Sequence, residues 1–292
     1  MSEADPLAPA DPLQAQPSPE RVNYETGVLL DADDFRDEQT YHRGRLATAL
    51  RYLVGFGTAA GLRVTPPAAA DAELELGVEP GIAIDRFGRL IELQAPQCIR
   101  LARWFAAQST PDLRAAVQRT PRVIVPAAVV VDVFLSAATC PRGKTPAFAT
   151  GPFDALDTVI PARLAENASL ELVPRTEGPP GPIPAPANFW PAANASKDAL
   201  LQAVLAKWEG ASSAADGTLE PLQEHVDGHD TSALFLARVT IPVVLAEAAP
   251  ASTRPTLDAT ARVSVDNSAR PFIVLTGKWL GRAFTAVTLV QP

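Results

Sequence analysis

At 292 residues and 47% hydrophobic content, the chain is long enough to fill the core of one large domain or two ordinary ones. A formal net charge of −8 and the lack of any basic block exclude a general polyanion binder, because nonspecific nucleic-acid affinity comes from Lys and Arg neutralising phosphates. No run approaches the roughly 18 to 20 apolar residues of a membrane span, and Met1-Ser2-Glu3-Ala4-Asp5 lacks the features of a signal peptide, so a cytoplasmic protein is expected.

Residues 1–20 are rich in Ala, Pro, Asp and Gln, with little to bury, and read as a tail that is disordered or extended along a partner. Residues 21–95 read as one helix-plus-sheet module. V-N-Y-E-T-G-V-L-L is its opening strand, and Asp31 then stands where an N-cap accepts from free backbone N–H groups, with Asp33 and Asp34 in the first turn of a helix. Phe35, His42, Leu46, Ala49, Leu50 and Leu53 share one stripe at about 100° per residue, which predicts a buried face. Gly44 weakens the middle of that helix by about 1 kcal/mol relative to Ala. Gly55, Gly57 and Gly61 supply left-handed or close-approach positions that end it and reverse the chain. Leu62-Arg63-Val64, Leu74 to Val78, Ile82 to Asp85 and Leu90 to Leu93 follow as strands, the last two joined by the turn D-R-F-G-R at Asp85–Arg89.

Residues 96–250 read as a β-rich body. It begins with two short helical pieces split near Pro111, the second with Asp112 as its candidate cap. The run from Arg122 to Ala138 has no polar alternation before Asp132 and suits a strand buried on both faces, regular from Ala127 onward because Pro126 interrupts the ladder. Ala168 to Val173 alternates as a short strand. Residues 174–191 form a Pro-rich loop, consistent with 29 prolines against 17 glycines in the whole chain. Residues 196–208 form a helix capped by Ser196, and Ala233 to Leu245 is a strand, or two, broken at Pro242. Residues 251–292 carry the C-terminal strands, around Val263–Val265, Phe272–Leu275 and Phe284–Val290.

No catalytic, cofactor-binding or metal-ligating residue is assigned. The densest polar cluster is E-H-V-D-G-H-D, with Glu224, His225, Asp227, His229 and Asp230. On a helix His225 and His229 would share a face and suit zinc, but Gly228 argues for a loop and the glutamate of H-E-x-x-H is absent between them. His42 reads as a structural histidine paired with Glu38 one turn back. Cys98 and Cys140 lack CxxC spacing, and no serine sits in G-x-S-x-G. The glycines at Gly57–Gly61 follow a helix rather than precede one, so they lack the N-terminus that makes a phosphate loop work. Asp132, Asp154 and Asp157 form no acid/base pair that the sequence reveals.

Four motifs carry a resemblance. Y-E-T-G-V-L-L at Tyr24–Leu30, the acidic helix start with E-Q-T-Y at Asp31–Tyr41, G-F-G-T-A-A-G-L-R-V at Gly55–Val64, and P-G-I-A-I-D-R-F-G-R-L-I at Pro80–Ile91 are similar to those of a bacterial family encoded with contractile injection systems and other phage-tail-like particles. Weaker echoes at Ala162–Val173, Phe235–Ile241 and Val265–Phe272 extend the likeness over most of residues 22–275. The chain departs from the pattern at Ala60, where the family usually carries a cysteine, and in a less charged middle loop.

The resemblance implies a structural or adaptor role at a baseplate, cap or accessory position. It implies contacts with other particle proteins (baseplate, sheath, tube or cap) and no catalytic residues. Homo-oligomerisation stays open.

The expected fold is therefore α+β, mainly β, with an N-terminal long helix packed on a small antiparallel sheet continuous with the β-rich body. The expected function is a non-enzymatic structural component of a phage-tail-like particle, with no cofactor. Two alternatives stand beside it: a carbohydrate or cell-surface-ligand binding module, for which an exposed aromatic such as Trp190 would argue, and a metal-dependent hydrolase centred on His225 and His229.

Overall fold

Asp31 starts the first long element as its side chain suggests. Its Oδ1 accepts from the N–H groups of Asp33 at 2.8 Å and Asp34 at 3.2 Å, and the Asp34 carboxylate accepts in return from the Asp31 N–H at 2.8 Å. This reciprocal box satisfies donors that a helix start leaves open, and α1 runs from there over Ala32–Leu53. The computed structural model describes residues 11–14, 18–68, 74–118, 127–146, 159–176, 183–186, 196, 198–199, 202, 219–246, 248–258 and 260–273. The protein is α+β and mainly β, with one long N-terminal helix and antiparallel sheets.

The expected opening strand is not formed. Residues 18–31 contain no strand, and Tyr24, Val28, Leu29 and Leu30 are exposed; among the described residues no strand pairs with this stretch. Ahead of it, Pro12–Gln14 makes a single 3-10 turn whose Leu13 is buried, so this part of the expected tail is docked.

After α1 come β1 (Gly57–Gly61), β2 (Val64–Thr65), β3 (Glu75–Val78), β4 (Gly81–Ile84), β5 (Leu90–Leu93) and β6 (Gln97–Arg100). They form two antiparallel sheets, ordered β1-β4-β5 and β2-β3-β6. The turn from β4 to β5 is tied by Asp85, which is fully buried. Its Oδ1 accepts from the N–H groups of Phe87 at 2.9 Å and Arg89 at 2.8 Å, and its Oδ2 from Arg89 Nε at 2.6 Å. Arg89 also reaches Asp11 at 3.0 Å and Ser232 at 3.0 Å, so this turn joins the N-terminus, the sheet and a later loop. Gly88 sits at its tip with φ +88°, and a Cβ there would lie 2.0 Å from the Ala47 carbonyl oxygen. α1 rests on the turn at that bare backbone.

Next come α2 (Leu101–Ala107) and α3 (Thr110–Ala115). Ser109 rather than Asp112 caps α3: its hydroxyl accepts from the Asp112 N–H at 3.2 Å. Ser109 is the residue one turn earlier, which is where an N-cap must stand.

The body is a six-stranded sheet. β7 (Val117–Gln118) pairs with β8 (Ala128–Arg142), and β9 (Thr145–Pro146) pairs with β10 (Val159–Ile160) as an outlying ribbon. β11 (Arg163–Pro174), β8, β12 (Leu234–Val244) and β13 (Thr256–Leu257) lie in that order, with β14 (Ser264–Asp266) also on β12. Ala128–Leu135 of β8 is buried at every position, Asp132 included, as the lack of polar alternation before Asp132 predicted. β12 is not broken at Pro242, which pairs opposite Ala128 near the end of the ladder, where a missing N–H is tolerated.

A bulge at Leu236 frees its carbonyl for Arg270 Nε at 2.9 Å. The same guanidinium reaches the Gly61 carbonyl at 3.1 Å, and Asn267 donates to and accepts from the Val64 backbone at 3.0 and 3.1 Å. The segment Val265–Phe272 thus clamps the N-terminal sheets to the body. Phe272 also bridges Thr58, and Gly57 (φ +135°) permits it, since a Cβ there would meet the Phe272 backbone at 2.8 Å.

The strands expected beyond residue 273, most of helix 196–208, and Asp154, Asp157 and Trp190 lie outside the described residues. Of that helix, the Ser196 hydroxyl accepts from the Ala199 N–H at 3.2 Å.

Candidate interaction surface

The E-H-V-D-G-H-D cluster forms a loop, not a helix. His225 Nε2 donates to the Ala233 carbonyl at 3.0 Å, and its Nδ1 accepts from the Leu222 N–H at 3.0 Å. Because a carbonyl only accepts, the ring is the neutral Nε2–H tautomer with both nitrogens committed to backbone. Burial pushes its pKa down to about 4. His225 therefore has no lone pair to give a metal without breaking the loop.

His229 is buried against Phe134, with ring centroids 4.5 Å apart. Its Nε2 comes to 3.4 Å from Glu171 Oε2, long for a hydrogen bond, and its Nδ1 has no hydrogen-bond partner among the described residues. That histidine contact holds the Glu171 carboxyl below the usual carboxylate range. Asp230 spends its carboxylate on the N–H and hydroxyl of Ser232, at 2.8 and 2.7 Å, and Asp227 is exposed. Among the described residues, no group of three or more His, Cys, Asp or Glu is placed to hold a metal ion. A cleft of about 1000 Å³ opens beside this loop, lined in part by Trp104, Leu170, Glu171, His225 and His229.

Asp132, an isolated carboxylate in sequence, is fully buried on β8 between two guanidinium groups. Arg238, its cross-strand neighbour, donates twice at 2.7 Å, and the fully buried Arg175 donates at 3.1 Å. Arg175 also reaches the Glu224 carbonyl, and Arg238 the carbonyls of Ile183 and Pro184, so the ions pin loops to the sheet. Burial raises the pKa of Glu224. Cys98 and Cys140 are free thiols. Gly57–Gly61 is strand β1, paired with β4.

The helix supplies the main correction. The stripe expected to be buried faces outward: Phe35 is 54% exposed, Leu46 58% and Leu53 68%, with His42 and Ala49 exposed and Leu50 half-buried. His42 does pair with Glu38, at 2.9 Å, with the His42 side chain exposed and that of Glu38 half-buried. α1 buries only Gly44 and Ala47, on the opposite side. The physical reason lies in shape: the Gly88 turn needs small side chains to approach, and the large ones are left to point away. Sequence reasoning found the stripe and missed its direction; Gly44 and Ala47, three residues apart on the other face, were the available sign.

Tyr24, Val28, Leu29 and Tyr52, just before the helix and at its end, are exposed as well. A second exposed patch lies at the far end of the β8–β11 hairpin and its ribbon, at Val159, Ile160 and Leu164. No helix among the described residues is long and apolar enough to cross a membrane. No protein-family model matches the chain, and no curated protein matches it either.

Proposed function

We propose that this chain is a non-enzymatic structural or adaptor component of a contractile injection system or phage-tail-like particle, working through protein–protein contacts. The observation that carries this reading is the outward apolar face of α1 and the segment before it, from Tyr24 to Leu53. Several large apolar side chains exposed along one helix face are a feature of interaction sites. The buried polar groups support it too: the ions Asp85, Asp132 and Arg175 and the neutral His225 are each engaged in holding backbone or strands together. The test is recovery of the tagged protein from its native host, with mass spectrometry and negative-stain imaging of what accompanies it. Sheath, tube or baseplate proteins in the eluate are expected; recovery of the chain alone would count against the reading.

One observation favours a second reading, a binding module for a carbohydrate or another cell-surface ligand. The cleft beside β11 sets Trp104 and Glu171 near a buried histidine whose Nδ1 has no hydrogen-bond partner among the described residues. Glycan-array binding that disappears in His229→Ala would support it, and a blank array would remove it.

A further inference from the structure

We propose that α1 forms an antiparallel two-helix seam with α1 of a second copy of this chain. The inference rests on the reading of this face as an interface and names its occupant.

Phe35, Gln39, His42, Leu46, Ala49 and Leu53 follow one another at intervals of four, three, four, three and four residues. That alternation is the heptad spacing by which two helices mesh along a common line. All six are exposed, and at about 100° per residue they centre opposite Gly44, the side on which α1 rests on its own chain. A helix that used its apolar face for its own fold would turn it inward. Here the inward face is Gly44 and Ala47, and the meshing face is left over.

Charge selects both the partner and the direction. The first half of α1 and its cap carry Asp31, Asp33, Asp34, Asp37 and Glu38 against Arg36 alone; the second half carries Arg43, Arg45 and Arg51 and no acid. A parallel pair would lay like charge on like. An antiparallel pair related by a two-fold lays the acidic half of each copy along the basic half of the other, the self-complementary arrangement that such symmetry requires.

In the register that sets Phe35 against Leu46 of the second copy, Gln39 meets His42, and Glu38 flanks the seam opposite Arg45. The two-fold repeats each contact. A polar layer of this kind fixes register. Arg36 and Arg43 approach on the other flank, but each already has a carboxylate: Asp33 for Arg36, and Asp11 at 3.4 Å and Glu166 at 3.5 Å for Arg43. The segment before the helix, where Leu29 is 95% exposed, then lies beside Tyr52 and Leu53 of the second copy, so both ends of the apolar surface are covered.

Sedimentation of the purified full chain over a range of concentrations tests this. A monomer–dimer equilibrium is expected, and Leu46→Lys should abolish it while leaving the thermal unfolding of the monomer in place. Glu38→Arg and Arg45→Glu should each weaken the dimer by about fivefold or more, and the two together should restore it, since each pair occurs twice and like-charge contacts disfavour association.

With Cys98→Ser and Cys140→Ser as background, Phe35→Cys combined with Leu46→Cys should give a covalent dimer on mild oxidation. Within one helix these positions stand about 16 Å apart, too far for a disulfide. A chain that stays monomeric at every concentration would overturn the proposal, as would Phe35→Cys alone coupling as well as the pair. A monomer that still captures sheath or baseplate proteins would overturn the seam and leave the proposed function standing; a dimer that captures none would do the reverse.

Discussion

Strand β8 and helix α1 are the longest strand and the longest helix among the described residues, and they dispose of their apolar side chains in opposite ways. β8 sinks eight consecutive residues, Ala128–Leu135, all apolar but Asp132, between β11 and β12 and their cover. α1 sinks two small ones and leaves Phe35, Leu46 and Leu53 in solvent. The same kind of side chain therefore acts as fold stability in the sheet and as capacity for association in the helix. Large substitution effects on folding belong to the first region and large effects on assembly to the second.

Breaking the comparison on the sheet side should cost most. Asp132→Ala leaves Arg175 buried without its carboxylate and Arg238 without its cross-strand partner. The loss should be about 3–5 kcal/mol, read as a lowered denaturation midpoint or failure to fold. Phe134→Ala empties the space between Phe235, His225 and His229 and should cost a similar about 3–5 kcal/mol.

His225 gives the sheet side a pH signature. Its folded-state pKa is depressed from the ordinary 6.5 to about 4, so the unfolded chain takes up a proton first as pH falls. Stability is full above about 6.5 and declines toward about 4, by up to about 3 kcal/mol. Denaturation series at several pH values should show that decline steeper in the native sequence than in His225→Gln; equal slopes would refute the assignment.

Gly88→Ala sharpens the comparison by acting where α1 rests on the β4–β5 turn. The new methyl group meets the Ala47 carbonyl in a backbone conformation that disfavours a side chain, at about 1–3 kcal/mol. Amide exchange should quicken across Ala32–Leu53 while β8 and β12 keep their protection. Smallest of all, Leu53→Ala should shift monomer stability by no more than about 0.5 kcal/mol, because that side chain touches little of its own chain. A larger loss would mean that α1 packs inward after all.

Much of the architecture was readable because it is set by local signals. The Asp31 cap, the apolar run of β8 and the D-R-F-G-R turn each depend on residues within a few positions of one another. The opening strand and the direction of the α1 stripe were not readable. Each depends on whether a partner surface exists within the chain, and amphipathic spacing is the same whether a face meets its own core or another molecule. The loop at His225 shows the same boundary. Its residue types suited a metal, and only the placement of the Leu222 N–H and the Ala233 carbonyl gave both ring nitrogens to the backbone.

Asn267 completes the edge of the N-terminal sheet at Val64, across 203 positions of sequence. A ribosome adds about 5–20 residues per second, so roughly 10 to 40 s separate the synthesis of Val64 from that of the side chain that closes its hydrogen bonds. During that interval α1 is already made and able to fold locally, while the β2-β3-β6 sheet still lacks its clasp. The outward face of α1 is thus presented before the N-terminal sheets are clamped to the body, and the proposed seam could form between nascent chains on neighbouring ribosomes of one messenger.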